Sequence, residues 1–482
     1  MAFWLLLACI VLPVLITIVF QHGYMLSHRK ISGASSLPAP PGPAGNPLLG
    51  NLLYVIGPLR NNPHRGLASL AETYGPILSL RLGLTRTLLV VSSAAAAHEA
   101  LSKNDGALAA RLVPDNVCAL SYGTTSMLQP AVEAAPLVIG AGFSSARGLD
   151  VIRPILERRA GQLAGYLRAS SGKPVNIREA VNGTVLNIIS NVLFSEDVVD
   201  LSVQGTQMFK GLIVPVLEEW SKPSVCDAFP SFAPLEHFLG SRHRISTHLA
   251  KLYKFFDQGI IERRLASSEN HNDLLDVLLA RYAASKLSRQ EITTFLTLLR
   301  HPEKMKKVTA ELATQLGSSD FVMESDLNKL PYLQAVVKET LRLHPAVPLI
   351  PREVIADDVS LGGFDVPNGT GVVVNLWAIG RDKNVWPHAE EFIPERFLAG
   401  QEVHTMLGKL DFVYRPFGAG RRVCPGMEYT ARSVPLLLAS VLHKVEWRLP
   451  DGMAPEDMDL SDRYGTVLNL ATPLRAVPVS PV

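Results

Sequence analysis

Phe417-Gly418-Ala419-Gly420-Arg421-Arg422-Val423-Cys424-Pro425-Gly426 is the stretch that decides how this chain is read. It holds one cysteine in a loop, with glycines on both sides and two arginines just before it. Gly418 and Gly420 permit a left-handed backbone and let the main chain approach a flat ligand closely. Backbone N–H groups and a nearby guanidinium lower a thiol's pKa and make it a metal ligand, the chemistry this arrangement predicts for Cys424. Gly426 after Pro425 suits the turn into a helix starting near Met427. Three other readings compete. A lone cysteine is most often a buried structural residue. A dinucleotide loop of the form G-x-G-x-x-G needs glycine where Val423 stands. A catalytic thiol needs a histidine partner, and none is near in sequence.

The surrounding chain has 482 residues, 47% of them apolar and 19% charged. That apolar share builds a sizeable core, and the low charge excludes intrinsic disorder. The 35 Gly and 34 Pro carry no period, which excludes collagen-like chains. With Lys+Arg at 46 and Asp+Glu at 44, no global charge recruits nucleic acid. Four cysteines without a C-x-x-C pair offer neither a disulfide scaffold nor a zinc site.

Residues 2–20 (AFWLLLACIVLPVLITIVF) are apolar without one charge. At 1.5 Å per residue such a helix reaches ~28 Å, close to the ~30 Å hydrocarbon core. A cleaved signal peptide is disfavoured by the length and by the missing basic start; a core helix is disfavoured by the all-round apolarity. The expectation is one transmembrane anchor over 1–21. His28, Arg29 and Lys30 follow it and place the remainder on the cytoplasmic side. A basic and proline-rich hinge over 22–45 comes next, with Pro38, Pro40, Pro41 and Pro43 favouring extended chain. The sequons at Asn182 and Asn368 are at chance frequency and would not meet glycosylation machinery there.

A second motif is Lys338-Glu339-Thr340-Leu341-Arg342. Pro331 suits the first position of a helix and Pro345 ends it, so the spacing predicts a helix from Pro331 to about Leu343. Glu339 and Arg342 then share a face, which by itself describes an ordinary surface ion pair. Downstream stand Trp386-Pro387 and Pro394-Glu395-Arg396-Phe397. Val151–Leu167 and Leu274–Leu279 have helical apolar spacing. Ile77–Leu82 alternates as a strand, and Thr87–Val91 is β-branched in character.

Phe417, Gly420, Arg422, Cys424 and Gly426 meet the pattern F-x-x-G-x-R-x-C-x-G in full, which resembles the haem-binding loop of the cytochrome P-450 family. The E-x-x-R pair and the P-E-R-F segment follow that family's order. The wording is similar to plant microsomal members, especially the group of geraniol hydroxylases and diterpenoid oxidases. The resemblance implies a mainly α fold with a small β region over 46–482, a haem-thiolate domain behind the anchor. It implies haem b, with Cys424 as axial iron ligand and Phe417, Gly420, Arg422 and Gly426 shaping the loop. It also implies that Glu339, Arg342 and Arg396 form a buried set bracing that loop.

Two departures stand out. Ser288-Arg289-Gln290-Glu291 is a capping box, and its helix meets His301-Pro302 after about 14 residues, or ~21 Å. The family's oxygen-activating helix is more than twice as long and carries Ala-Gly-x-Asp/Glu-Thr, which this chain lacks, so the distal helix is expected to be truncated and no catalytic acid–alcohol pair is identifiable. That pair delivers protons to bound oxygen. The family's W-x-x-x-R for the haem propionates is also missing, and no Lys or Arg occurs from Leu112 to Ala146. The foreign-looking stretch 129–136 lies inside that window. Arg422 and Arg352 remain as propionate partners, a surface arginine being the other reading of Arg352. Val347, Leu349 and Ile350 form either an apolar pocket edge or ordinary core.

The implied activity is insertion of one atom of O2 into a small apolar, terpenoid-like molecule. Electrons would come from NADPH through a flavoprotein reductase, at the endoplasmic reticulum membrane. The other reading is a defective remnant or misassembled product of the same family, holding haem weakly or not at all.

Overall fold

The computed structural model describes residues 37–83, 86–114, 146–195, 240–256, 297–398, 412–465, 467–472 and 475–479, with shorter stretches between 197 and 229. The apolar run at 2–20, the capping box at Ser288, the stretch 129–136 and the segment 274–279 lie outside the described residues. Among the described residues no helix is long and apolar enough to cross a membrane.

The helices used below are α1 (Pro63–Tyr74), α2 (Ala146–Ala169), α3 (Ile177–Phe194), α4 (Ser241–Phe256), α5 (Pro302–Leu316), α6 (Pro331–Leu343) and α7 (Met427–Leu442). The helix predicted over 331–343 and the helix start at Met427 stand as read. α6 places Pro331 at its first turn, where a missing N–H costs nothing, and stops before Pro345. Ten of its thirteen residues are buried, so it is a central helix rather than a surface one. α7 buries an unbroken run from Ser433 to Leu442. These two helices, α2 and α3 enclose the main core, with Leu298 and Leu299 packed into it. Each leucine so buried contributes about 1.5–3 kcal/mol relative to exposure.

The principal sheet has the order β1-β2-β7-β4, with β1 (Ile77–Leu82), β2 (Arg86–Val91), β4 (Leu349–Glu353) and β7 (Gly371–Asn375). β2 and β7 run parallel; the other pairs are antiparallel. All five residues of β7 are buried, as a Val-Val-Val run between neighbours requires. Both predicted strands are present, β2 taking in Arg86 as well. β5 (Val359–Leu361) and β6 (Phe364–Val366) form a hairpin closed by Gly362 and Gly363, both at positive φ. A second sheet joins β3 (Val175–Asn176), β11 (Arg475–Val479) and β8 (Glu446–Arg448). β9 (Asp462–Arg463) and β10 (Asn469–Leu470) make a separate short hairpin.

The proline-rich stretch lies along the principal sheet. Pro40 O and Pro41 O accept from Ser79 Oγ at 3.0 Å and Ser79 N at 2.7 Å, and Pro43 O accepts from Asn51 Nδ2 at 3.0 Å.

Candidate functional site

The cysteine loop is built between β4, the turn before Arg111 and the start of α7. Gly418 and Gly420 both sit at positive φ, as the sequence predicts. Gly420 admits no side chain: a Cβ there would lie 2.2 Å from Asp105 Oδ1 and 2.5 Å from Leu101 O. Asp105 uses that closeness to accept from Arg421 N at 2.8 Å. Cys424 N donates to Phe417 O at 3.0 Å, which folds the loop back on itself and aligns it with α7. Thr430 Oγ1 donates to Gly426 O at 2.8 Å and fastens the first turn of that helix.

The thiol itself departs from the expectation. Burial pushes Cys424 up from its ordinary pKa, and the Gly426 N–H and the Arg111 charge pull it only part of the way back. The lowering groups anticipated from sequence are present, but desolvation outweighs them in the protein by itself. A cation placed at the sulfur would reverse that balance.

Arg352 lies on β4 and is buried, 4% exposed, which settles it as no surface arginine. Its neighbours in charge are Arg111 and Arg422, with Asp105 a weaker offset. Burial and these two like charges draw its guanidinium down to about 10. Arg111 is lowered for the same reasons, burial first and Arg422 next, and its Nε is buried without a hydrogen-bond partner. Arg422 Nε donates to Ala109 O at 2.8 Å. Arg111 and Arg352, both lowered by burial and like charge with Arg422 beside them, favour a dianion here, and the two propionates of a haem fit it. The residues present therefore suit the implied cofactor: one sulfur ligand in a glycine-framed loop and three cations beside it. Arg111 was not anticipated. It stands immediately before the window 112–146 that has no basic residue, so its position in the sequence was the available signal.

Behind the loop, Glu339 and Arg342 have no exposed side-chain surface. The carboxylate accepts Arg342 Nε at 2.7 Å and Nη2 at 2.8 Å, a two-toothed pair. It also accepts Ile393 N at 2.8 Å and Arg396 Nε at 3.3 Å. Arg342 spends its remaining donors on Gly380 O, Ala389 O and Glu391 O, and Arg396 Nη2 donates to His388 O. The three residues come together as expected. Arg396 lies on the 3-10 turn Pro394–Phe397. The link forward to the cysteine loop is Tyr414, which the sequence did not flag. Its hydroxyl donates to Lys338 O at 3.2 Å and its ring meets Phe397 at 5.1 Å.

Residues 297–300 are helical, with Thr297 only 3% exposed, and Arg300 Nη1 donates to Pro455 O. The preceding turns of the predicted distal helix lie outside the described residues.

The sequence model of the family described as Cytochrome P450 matches residues 40–296 and 293–474. The chain belongs to the cytochrome P450 family. Membership makes it a monooxygenase-type oxidoreductase whose cofactor is haem iron. Similar plant proteins include oryzalexin E synthase of Oryza sativa subsp. japonica, 40% identical over 492 residues, 95% of this chain and 94% of that protein. Geraniol 8-hydroxylase of Catharanthus roseus is 39% identical over 471 residues, 91% of this chain and 93% of the relative. Ent-cassadiene C11-alpha-hydroxylase 1, also of Oryza sativa subsp. japonica, is 38% identical over 486 residues, 95% and 96%. The P450 match falls into two parts that overlap at 293–296, just before the described helical residues 297–300. The alignment with oryzalexin E synthase is longer, at 492 positions, than the 482-residue chain itself, so that relative carries residues with no counterpart here.

Proposed function

We propose that this P450 is a membrane-anchored haem-thiolate monooxygenase that oxidises a small apolar, terpenoid-like molecule. Cys424 would be the iron ligand, and Arg111, Arg352 and Arg422 would hold the propionates. NADPH would supply electrons through a flavoprotein reductase, with the residues 2–20 in the endoplasmic reticulum membrane and the body on its cytoplasmic side. The observation that carries this reading is the set of three arginines, Arg352 buried and Arg111 and Arg422 half-buried, beside the glycine-framed cysteine. A haem held there supplies the activation of O2. The chain's own residues would hold it, Cys424 at the iron and Arg111, Arg352 and Arg422 balancing the charge of its propionates. The terpenoid substrate class is supported by relatives whose names include geraniol 8-hydroxylase; of the three apolar residues read as a possible pocket edge, Leu349 and Ile350 pack into two separate core clusters and only Val347 is exposed.

A second reading is favoured by the break in the family match at 293–296. With the acid–alcohol pair gone, proton delivery on the distal side lacks its usual donors, and reduction without product formation would follow. Full-length protein co-expressed with a plant reductase and given geraniol tests both. Hydroxylated product in step with NADPH consumption supports the first reading. NADPH consumption that yields only peroxide supports the second.

A further inference from the structure

β9 and β10 contribute two residues each to their hairpin, too little backbone pairing to hold it in place alone. What fixes the hairpin comes from the far end of the chain. Asp462 in β9 has a side chain only 6% exposed, and Nε and Nη2 of Arg65 on α1 both donate to its Oδ2. Nε2 of fully buried His64 lies 3.7 Å from the same oxygen. Tyr464 stacks on the His64 ring at 5.9 Å, and Trp377 meets that ring edge-on at 5.5 Å. Arg65 and Arg381 lie 5.0 Å and 4.0 Å from the Trp377 ring. Three elements, α1, the short helix Leu376–Ile379 and the hairpin, thus meet around one imidazole.

The other end of the hairpin reaches toward the functional site. Leu468 N donates to Ala346 O at 2.9 Å. Ala346 lies between α6 and β4, and β4 brings Ile350 Cδ1 within 3.3 Å of where a Gly418 side chain would begin. A carboxylate removed from water needs a charged partner to stay in place. Burial alone would raise the Asp462 carboxyl, but His64 and Arg65 hold it at about 2, so it is ionised across the neutral range.

We propose that the Arg65–Asp462 pair, seated on His64, is a latch that positions the turn bearing Leu468 against Ala346 and the exposed Val347 beside it. Asp462 and Arg65 are then positioning residues that set which ligand shapes that segment accepts. The ligand half of this statement rests on the terpenoid reading above; the latch does not.

The test uses full-length protein with Asp462→Asn and Arg65→Gln, singly and together, and Arg463→Gln on the same hairpin as a control, its side chain being 70% exposed. Amide hydrogen exchange at Leu468 quickens about tenfold in each single variant, with α6 and α7 unchanged, because the opening is local. The double variant adds little, as partners in one interaction do not add. Unchanged exchange at Leu468, or a rise shared equally by α6 and α7, overturns the latch. In haem-loaded protein, geraniol and ent-cassadiene are titrated by the shift of the Soret band. The ratio of their dissociation constants changes about tenfold in the latch variants and not in Arg463→Gln. An unchanged ratio overturns the ligand half. Wild-type protein that responds to neither terpene overturns the terpenoid reading and the ligand half with it, and the exchange result still decides the latch.

Discussion

Arg342 and Arg352 are both buried and lie within one short stretch of chain, yet the protein treats them in opposite ways. Arg342 faces a carboxylate that takes two of its bonds, and backbone carbonyls take three more. Arg352 faces two further arginines, and its described hydrogen bond goes to Pro351 O. A buried charge completed by its own protein braces the fold. A buried charge left among like charges marks where something anionic from outside belongs. The two sites are mechanically joined, since Tyr414 ties α6 to the loop that carries Cys424 and Arg422.

Substitutions can break this contrast. The largest effect belongs to Glu339→Ala, which strands Arg342 and Arg396 without their carboxylate. A loss of about 3–5 kcal/mol is expected in urea unfolding of the haem-free protein, a large part of the whole stability. Stability within error of wild type would show that the pair braces nothing. Arg352→Leu should act with the opposite sign on the protein alone. Removing a buried, repelled cation leaves the haem-free form as stable or about 1 kcal/mol more so. The same change should speed haem transfer to apomyoglobin about tenfold, the loss of one propionate partner. Arg111→Leu is expected to follow it in both directions; a destabilised haem-free form would place these arginines with Arg342 instead.

A smaller effect is expected from Tyr414→Phe. Losing the bond to Lys338 O costs about 1 kcal/mol in the same unfolding assay and leaves cofactor spectra unaltered. Smallest is Glu395→Gln, next to Arg396. Burial alone would raise the Glu395 carboxyl, but Lys307 and Lys304 hold it at about 2. A carboxyl depressed in the fold stabilises at pH above its unfolded value and loses that contribution as pH falls through the folded one. The variant should therefore melt slightly below wild type at neutral pH, and the gap should close between about pH 4 and pH 2. A gap that persists at pH 2 would mean the ionised form is not what matters.

What was legible in the sequence follows from which residues carry fixed spacing. Cys424 with Gly418 and Gly420, and Glu339 with Arg342, announce themselves because their geometry is local. Pro331 and Pro345 bound α6 for the same reason. Arg111, Asp105 and Tyr414 carry no pattern, since each acquires its role from a neighbour far along the chain, as Asp105 does from Arg421. The thiol's pKa was misjudged because sequence displays donors and charges but not burial. β9 and β10 are too short to show a period, and their anchor on α1 is invisible before folding. The break at 293–296 was legible as a missing motif, and the family match divides at the same place.

The central claim is that Cys424 and the three arginines hold a haem by its iron and its propionates. The most direct measurement is the absorption spectrum of the reduced, carbon-monoxide-bound protein, compared with its Cys424→Ala variant. The account predicts a strongly red-shifted Soret band in the wild type, lost in the variant while Cys226→Ala keeps it. A folded wild-type protein without that band, or a variant that retains it, would contradict the account.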